Sequence, residues 1–188
     1  MYAFFCKRSI AEPKKYVFFD RDGTLIHHIH HLSDLSQVHI FEDAYETLNE
    51  LSEMGLSLCI VTNQSIIGRG LATFSQVNEI HKFILQQFAK RGVSFDFVRV
   101  CPHLPDAGCK CRKPKLGLLE PEIISQKIDY TNSFMVGDSE TDIDFGRSLS
   151  VSTIKIHTDS SKTTLADYTI TRIGKLSEVI RDHIKRKG

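Results

Sequence analysis

The sequence predicts an α/β fold: a doubly wound, mostly parallel sheet with helices on both faces. Two observations carry this. Short apolar runs that read as buried strands alternate with segments whose apolar residues recur at helical spacing, the pattern of a parallel sheet with crossover helices. Acids, hydroxyls and a lysine then follow the apolar runs, and a sheet of this kind binds ligands at the carboxyl ends of its strands. The chain has 188 residues, a length that suits one domain able to bury roughly 70% of its unfolded surface.

In chain order, Tyr16–Phe19 reads as a buried strand. Phe41–Met54 carries Ala44, Leu48, Leu51 and Met54 as a helical stripe, ended by Gly55. Leu56–Val61 is a second buried strand. Thr73 and Gln76 have the spacing of a capping box, and the helix they open carries Val77, Ile80, Ile84 and Phe88 before ending near Gly92. Phe95–Cys101 reads as strand, Leu116–Gln126 as helix, Ser133–Val136 as a short buried strand and Ser139–Leu149 as helix. Val151–Ile156 and Tyr168–Ile170 complete the strands, and Lys175–Lys187 closes the chain as a helix. Residues 1–14 read as an extension of a single domain spanning 15–188. Two stretches break the alternation, the His-rich Ile26–His39 and the Cys/Pro-rich Cys101–Pro114, and loops are where function concentrates.

Composition excludes several classes. There are 24 Lys+Arg against 23 Asp+Glu, a net charge of +1, which gives no bulk field for nucleic acid or a membrane surface. No apolar run approaches the ~20 residues of a membrane span. The N-terminal segment lacks the long apolar region of a signal peptide, so a reducing, cytoplasmic setting is expected, with a monomer acting on a small molecule.

Phe18-Phe19-Asp20-Arg21-Asp22-Gly23-Thr24 places two carboxylates two residues apart at a strand end, with Gly23 permitting a turn. Acids held this close repel unless a cation or a shared proton intervenes, and a hard divalent cation is the natural partner. One acid can then attack phosphorus while the other moves the proton. The spacing is not that of an EF-hand, which sets aside a structural calcium site. Thr62-Asn63-Gln64-Ser65 follows the second strand with anion-binding groups, Lys113 can hold a phosphate as a point charge, and Asp138 with Asp142 follows the third short strand.

This set, D-x-D-G-T, a strand-end Thr, a Lys and G-D-x-x-x-D, resembles the haloacid dehalogenase superfamily of phosphotransferases, with its Rossmann-like sheet. The resemblance runs from about Tyr16 to Ile156. It implies that Asp20 is the nucleophile and forms an aspartyl phosphate, that Asp22 is the general acid/base, and that Thr62 and Lys113 stabilise the transferring oxygens. It also implies magnesium on Asp20, the Asp22 backbone carbonyl and Asp138, with Asp142 ordering the loop.

Cys101, His103, Cys109 and Cys111 form a complete tetrahedral zinc set with no open position, hence a structural site. Its placement two residues before Lys113 gives that zinc loop a positioning role. Within the superfamily, C-P-H…C-x-C-R-K-P resembles the branch holding the histidinol phosphatases and the D-glycero-D-manno-heptose-1,7-bisphosphate 7-phosphatases, which lack a large cap domain. Thr62-Asn-Gln-Ser-Ile-Ile-Gly-Arg69-Gly is similar to the heptose enzymes' motif, although Ile66 replaces the usual Gly and Ser139 stands where a basic residue commonly follows the metal Asp. The polynucleotide 3′-phosphatases share that motif without the cysteines, and a zinc-stabilised interaction module is the non-enzymatic alternative. Asn63, Gln64, Ser65, Arg69 and Arg112 are the expected substrate contacts, the two arginines for a second phosphate.

Overall fold

A computed structural model describes residues 12–125, 128–157 and 163–187. Cys6, most of the 1–14 extension and Gln126, the expected end of a helix, lie outside the described residues. Six strands form one sheet in the order β3-β2-β1-β4-β5-β6, and every neighbouring pair is parallel. They are β1 Tyr16–Phe19, β2 Ser57–Asn63, β3 Phe97–Cys101, β4 Phe134–Gly137, β5 Ser152–Ile156 and β6 Tyr168–Ile170. The chain winds outward from β1 to β3, then returns to the other side of β1 with β4. The direction therefore switches between β1 and β4, where a doubly wound sheet opens a crevice at its carboxyl edge.

Strand side chains alternate between two cores. Val17, Phe19, Leu58, Ile60, Phe134 and Val136 pack on one face under α1 (Glu42–Glu53), α3 (Phe74–Ala89) and α6 (Leu176–Lys187). On the other face Phe18, Cys59, Val61 and Met135 pack against Leu118, Leu119 and residues Phe145 and Leu149 of α5 (Glu140–Leu149). Cys59 is a fully buried apolar filler whose thiol is pushed up by burial. Among the described residues no helix is long and apolar enough to cross a membrane.

Most expected elements are present, and three depart informatively. Strand β2 runs on to Asn63, so Thr62 and Asn63 are held by ladder pairs to β3 at Val100 and Cys101 and do not lie in a free loop. The expected helix from Leu116 divides into a 3₁₀ turn, Leu116–Leu119, and a short α4, Glu120–Ile124. Pro121 lacks the N–H an unbroken helix would need there, so the segment restarts as a new first turn. A four-residue α2, Ser65–Gly68, lies where only a cluster of polar residues was legible. The Thr73/Gln76 capping box is present in both directions, at 2.8 and 3.2 Å.

Helix α5 approaches the sheet at Gly146. A Cβ there would lie 2.6 Å from Thr153 Cγ2 and 2.7 Å from Met135 Cβ, closer than packed carbon atoms come. Gly146→Ala is expected to lower stability by about 1–3 kcal/mol through overpacking. Thermal unfolding checks this, and an unchanged Tm would show that α5 does not depend on the close approach.

Candidate functional site

Strands β1, β2 and β4 deliver their terminal residues to one edge. Asp20 leaves β1 with its N–H bonded to Val136 O at 2.9 Å, which ties the β1 exit to β4. The Lys113 ammonium donates to Asp20 Oδ1 at 2.7 Å and reaches Asp142 Oδ1 at 2.6 Å. Both Lys113 and Asp142 are buried. Burial pulls the lysine down, but the two carboxylates outweigh it and hold Lys113 above its ordinary value. Asp142 Oδ2 accepts from Ser139 N and Ser139 Oγ at 3.1 and 2.6 Å, capping α5. It thus orders its loop as expected and adds the contact to Lys113.

Asp138 completes the cluster. Burial, with the Asp20 and Asp142 charges added, raises it to about 6. Gly23 turns the chain after Asp22 with φ +73°, and a Cβ there would collide with the Asp138 carboxylate. A glycine is required for both reasons. Ligand oxygens of Asp20, Asp138 and Asp142 lie within 4.8 Å of one another. Three carboxylates against one ammonium leave a surplus of two negative charges in a largely buried space, which fits one divalent cation with oxygen ligands.

Asp22 belongs to a second network. Arg21, 1% exposed, donates through Nε and Nη2 to Asp22 Oδ2 at 3.1 and 2.9 Å and through Nη2 to Oδ1 at 3.0 Å. Gln64 Nε2 donates to Asp22 Oδ2 at 2.8 Å and to Thr62 Oγ1 at 2.9 Å, while Gln64 Oε1 accepts from Arg21 at 2.8 Å. The remaining guanidinium nitrogen, Nη1, meets His81 Nε2 at 3.1 Å. Asn63 grips the Lys113 backbone from both sides, its Oδ1 accepting from Lys113 N at 3.0 Å and its Nδ2 donating to Lys113 O at 3.3 Å. Asn63 and Gln64 therefore support Lys113, Asp22 and Thr62.

Ser65, Arg69 and Arg112 line two clefts. A cleft of about 270 Å³ is lined by Asp20, Asp22, Lys113, Asp138 and Arg112. A neighbouring one of about 190 Å³ is lined by Asp22, Ser65 and Arg69. Both are lined by Asp22, His28 and Asn63, so each arginine shares a cleft with Asp22. His28, from the histidine run, reaches this edge, whereas His27 stacks on Phe41 at 4.2 Å between ring centroids.

Sequence reasoning missed Arg21 and His81. Arg21 stood in view between the two acids. His81 falls among Val77, Ile80, Ile84 and Phe88 on the buried face of α3, and a polar residue inside an apolar stripe was the available signal.

The cysteine loop closes on itself. Cys101 Sγ lies 3.7 Å from Cys109 Sγ and 3.4 Å from Cys111 Sγ, and His103 Nδ1 lies 3.6 and 3.2 Å from Cys101 and Cys111. A tetrahedral ion with metal–sulfur bonds near 2.3 Å has edges of roughly 3.8 Å, so the four atoms surround a space of the right size. Cys101 ends β3 and its carbonyl accepts from Gln64 N at 2.8 Å, while Lys113 follows Cys111 by two residues. The loop thus links both networks.

In fold the chain is similar to a HAD phosphatase of Thermococcus onnurineus, with a TM-score of 0.63, 17% identity, and 88% of this chain and 97% of that chain covered. The chain belongs to the polynucleotide kinase 3 phosphatase family, whose sequence model matches residues 15–171. It is 37% identical over 146 residues to the histidine biosynthesis bifunctional protein HisB of Blochmanniella floridana, covering 76% of this chain and 41% of that protein. It is also 37% identical over 134 residues to a probable D-glycero-D-manno-heptose-1,7-bisphosphate 7-phosphatase of Thermoplasma volcanium, covering 71% of this chain and 92% of that protein. The chain thus spans about two fifths of the HisB relative. In fold it is similar to the D,D-heptose 1,7-bisphosphate phosphatase of B. bronchiseptica, solved with magnesium and phosphate, with a TM-score of 0.80, 22% identity, and 89% of this chain and 98% of that chain covered.

The Cys101/His103/Cys109/Cys111 set predicts one tightly held metal ion per chain. Cys109→Ser is expected to release it and lower Tm by about 5–10 °C, the effect of losing a ligand worth a few kcal/mol at this size. Elemental analysis of reduced protein with thermal unfolding checks this; a metal-free wild type of equal stability would contradict it.

Proposed function

We propose that the chain is a magnesium-dependent phosphatase acting through an aspartyl phosphate on a small phosphorylated metabolite, most readily D-glycero-D-manno-heptose 1,7-bisphosphate with the 7-phosphate removed. The observation that carries this is the buried Lys113 ammonium held between Asp20 and Asp142, beside Asp138 and across from an oriented Asp22. Phosphoryl transfer asks for positioning and charge neutralisation above all, and these residues supply both.

In the first step an Asp20 carboxylate oxygen forms a bond to phosphorus as the ester P–O bond breaks, and Asp22 gives its proton to the departing oxygen. In the second, Asp22 takes a proton from water as that water attacks phosphorus, freeing phosphate and restoring the Asp20 carboxylate. Thr62 and Lys113 bind the phosphoryl oxygens throughout. Asp20, the Asp22 carbonyl and Asp138 would hold magnesium, which supplies neutralisation of phosphate charge. The Cys₃His set would hold zinc, whose soft and borderline ligands suit that ion. Residues 15–188 are read as one catalytic domain, working as a cytoplasmic monomer on a small phosphate ester and not on nucleic acid or a membrane.

The heptose reading rests on the relative from Thermoplasma volcanium and on two arginines, each in a cleft that Asp22 also lines. Histidinol phosphate is the second reading, favoured by the HisB relatives at 37% and 34% identity.

Asp20→Asn keeps the side-chain shape and removes the nucleophile. Its kcat should fall by several orders of magnitude; retention of more than about a tenth of wild-type activity, a loss under roughly 1.4 kcal/mol, would sink the covalent mechanism. For specificity, Arg69→Ala and Arg112→Ala should each lower kcat/KM for a sugar bisphosphate by roughly 10–100-fold, about 1.4–2.7 kcal/mol, and change that for an aryl phosphate far less. Equal losses on the two substrates would remove the arginines from recognition of a second phosphate.

A further inference from the structure

We infer that His81, on helix α3 and outside the strand-end motifs, is a positioning residue that sets the orientation of Asp22 through Arg21. The inference rests on the proposed phosphatase reading. Arg21 has no acceptor atom, so in the 3.1 Å contact the guanidinium donates and His81 Nε2 accepts. The imidazole is therefore neutral and carries its proton on Nδ1. Burial, with the Arg21 charge added, lowers His81 to about 3, in keeping with that tautomer. His81, Arg21 and Gln64 are buried, at 4%, 1% and 6% exposure.

The geometry also separates the two oxygens of Asp22. Oδ2 accepts three donors, from Arg21 Nε, Arg21 Nη2 and Gln64 Nε2. Oδ1 accepts one, from Arg21 Nη2. Oδ1 is thus the oxygen with lone-pair capacity to spare, and it is the atom that passes the proton to the leaving group. Its direction depends on the plane of the guanidinium. That plane is held by Gln64 Oε1 on Nη2 and by His81, the acceptor on Nη1. Removing this acceptor frees the fork to rotate and carries Asp22 with it, while Asp20, Lys113 and Asp138 keep their own contacts.

Ester substrates of different leaving-group quality test this. An alkyl phosphate needs the proton from Asp22 as its bond breaks, whereas a nitrophenyl phosphate leaves without it. His81→Leu should lower kcat/KM for an alkyl phosphate such as glycerol phosphate by about 10–100-fold and that for nitrophenyl phosphate by less than about threefold. His81→Gln, which restores an acceptor, should recover most of the loss. Arg21→Lys, which keeps the charge and removes the fork, should repeat the His81→Leu pattern. Equal losses on the two esters, or no loss, in a His81→Leu protein with a wild-type unfolding curve, or a folded His81→Gln protein as impaired on the alkyl ester as His81→Leu, would overturn the positioning role and leave the phosphatase reading intact. Should His81→Leu fail to fold, a His81→Met protein, which also lacks the ring nitrogen, and the Arg21→Lys protein decide by the same ratio. A wild type that hydrolyses neither ester would overturn the phosphatase reading, and this inference with it.

Discussion

A single buried ammonium organises the carboxyl edge of the sheet. Lys113 reaches Asp20 at the end of β1 and Asp142 in the first turn of α5, at 2.7 and 2.6 Å. Without it, three carboxylates would meet in a space largely closed to water, where like charges repel with little screening. With it, the cluster keeps an excess of two negative charges, enough to attract a divalent ion and too few to drive the loops apart. Removing one partner from such a buried group typically costs about 3–5 kcal/mol, because the others are left uncompensated. Other contacts serve the position of this lysine: Asn63 grips its backbone on both sides, and the cysteine loop ends two residues before it.

Asp22 is handled by the opposite rule. Its carboxyl group is held by the Arg21 guanidinium and the Gln64 amide. Two acids separated by one residue thus occupy two electrostatic settings. One is surrounded by other acids and a lysine; the other is locked against a guanidinium and an amide. Divergent roles for neighbouring carboxylates follow from such divergent settings. Gln64 joins the halves, since its side chain holds Asp22 and Thr62 while its backbone N–H takes the Cys101 carbonyl at the rim of the metal loop.

Much of this edge was legible in the sequence because it follows from local grammar. Asp20, Thr62, Lys113 and Asp138 each follow a short apolar run or a cysteine pair, and parallel strands bring their ends together whatever lies between. The tetrahedral set was legible because four ligands fall within eleven residues of one loop. The support network was not, because its meaning is long-range. Arg21 and His81 are 60 positions apart, and nothing local says that α3 brings His81 over the β1 exit. Asn63 and Gln64 are read as substrate contacts because amides after a strand suit an anion; their bonds to Lys113, Asp22 and Thr62 have no local signal. The break at Pro121 marks the same limit, with one missing N–H outweighing an apolar pattern.

The contacts of this edge converge on Asp20, the proposed nucleophile toward phosphorus. Mass spectrometry of protein quenched in acid during turnover of a phosphate ester with magnesium tests that role most directly. A single phosphoryl group is expected on the peptide that contains Asp20, absent when the ester is omitted and lost on brief exposure to base. Sustained turnover with the phosphoryl group on another side chain, or with none trapped while Asp20→Asn remains active, would contradict it.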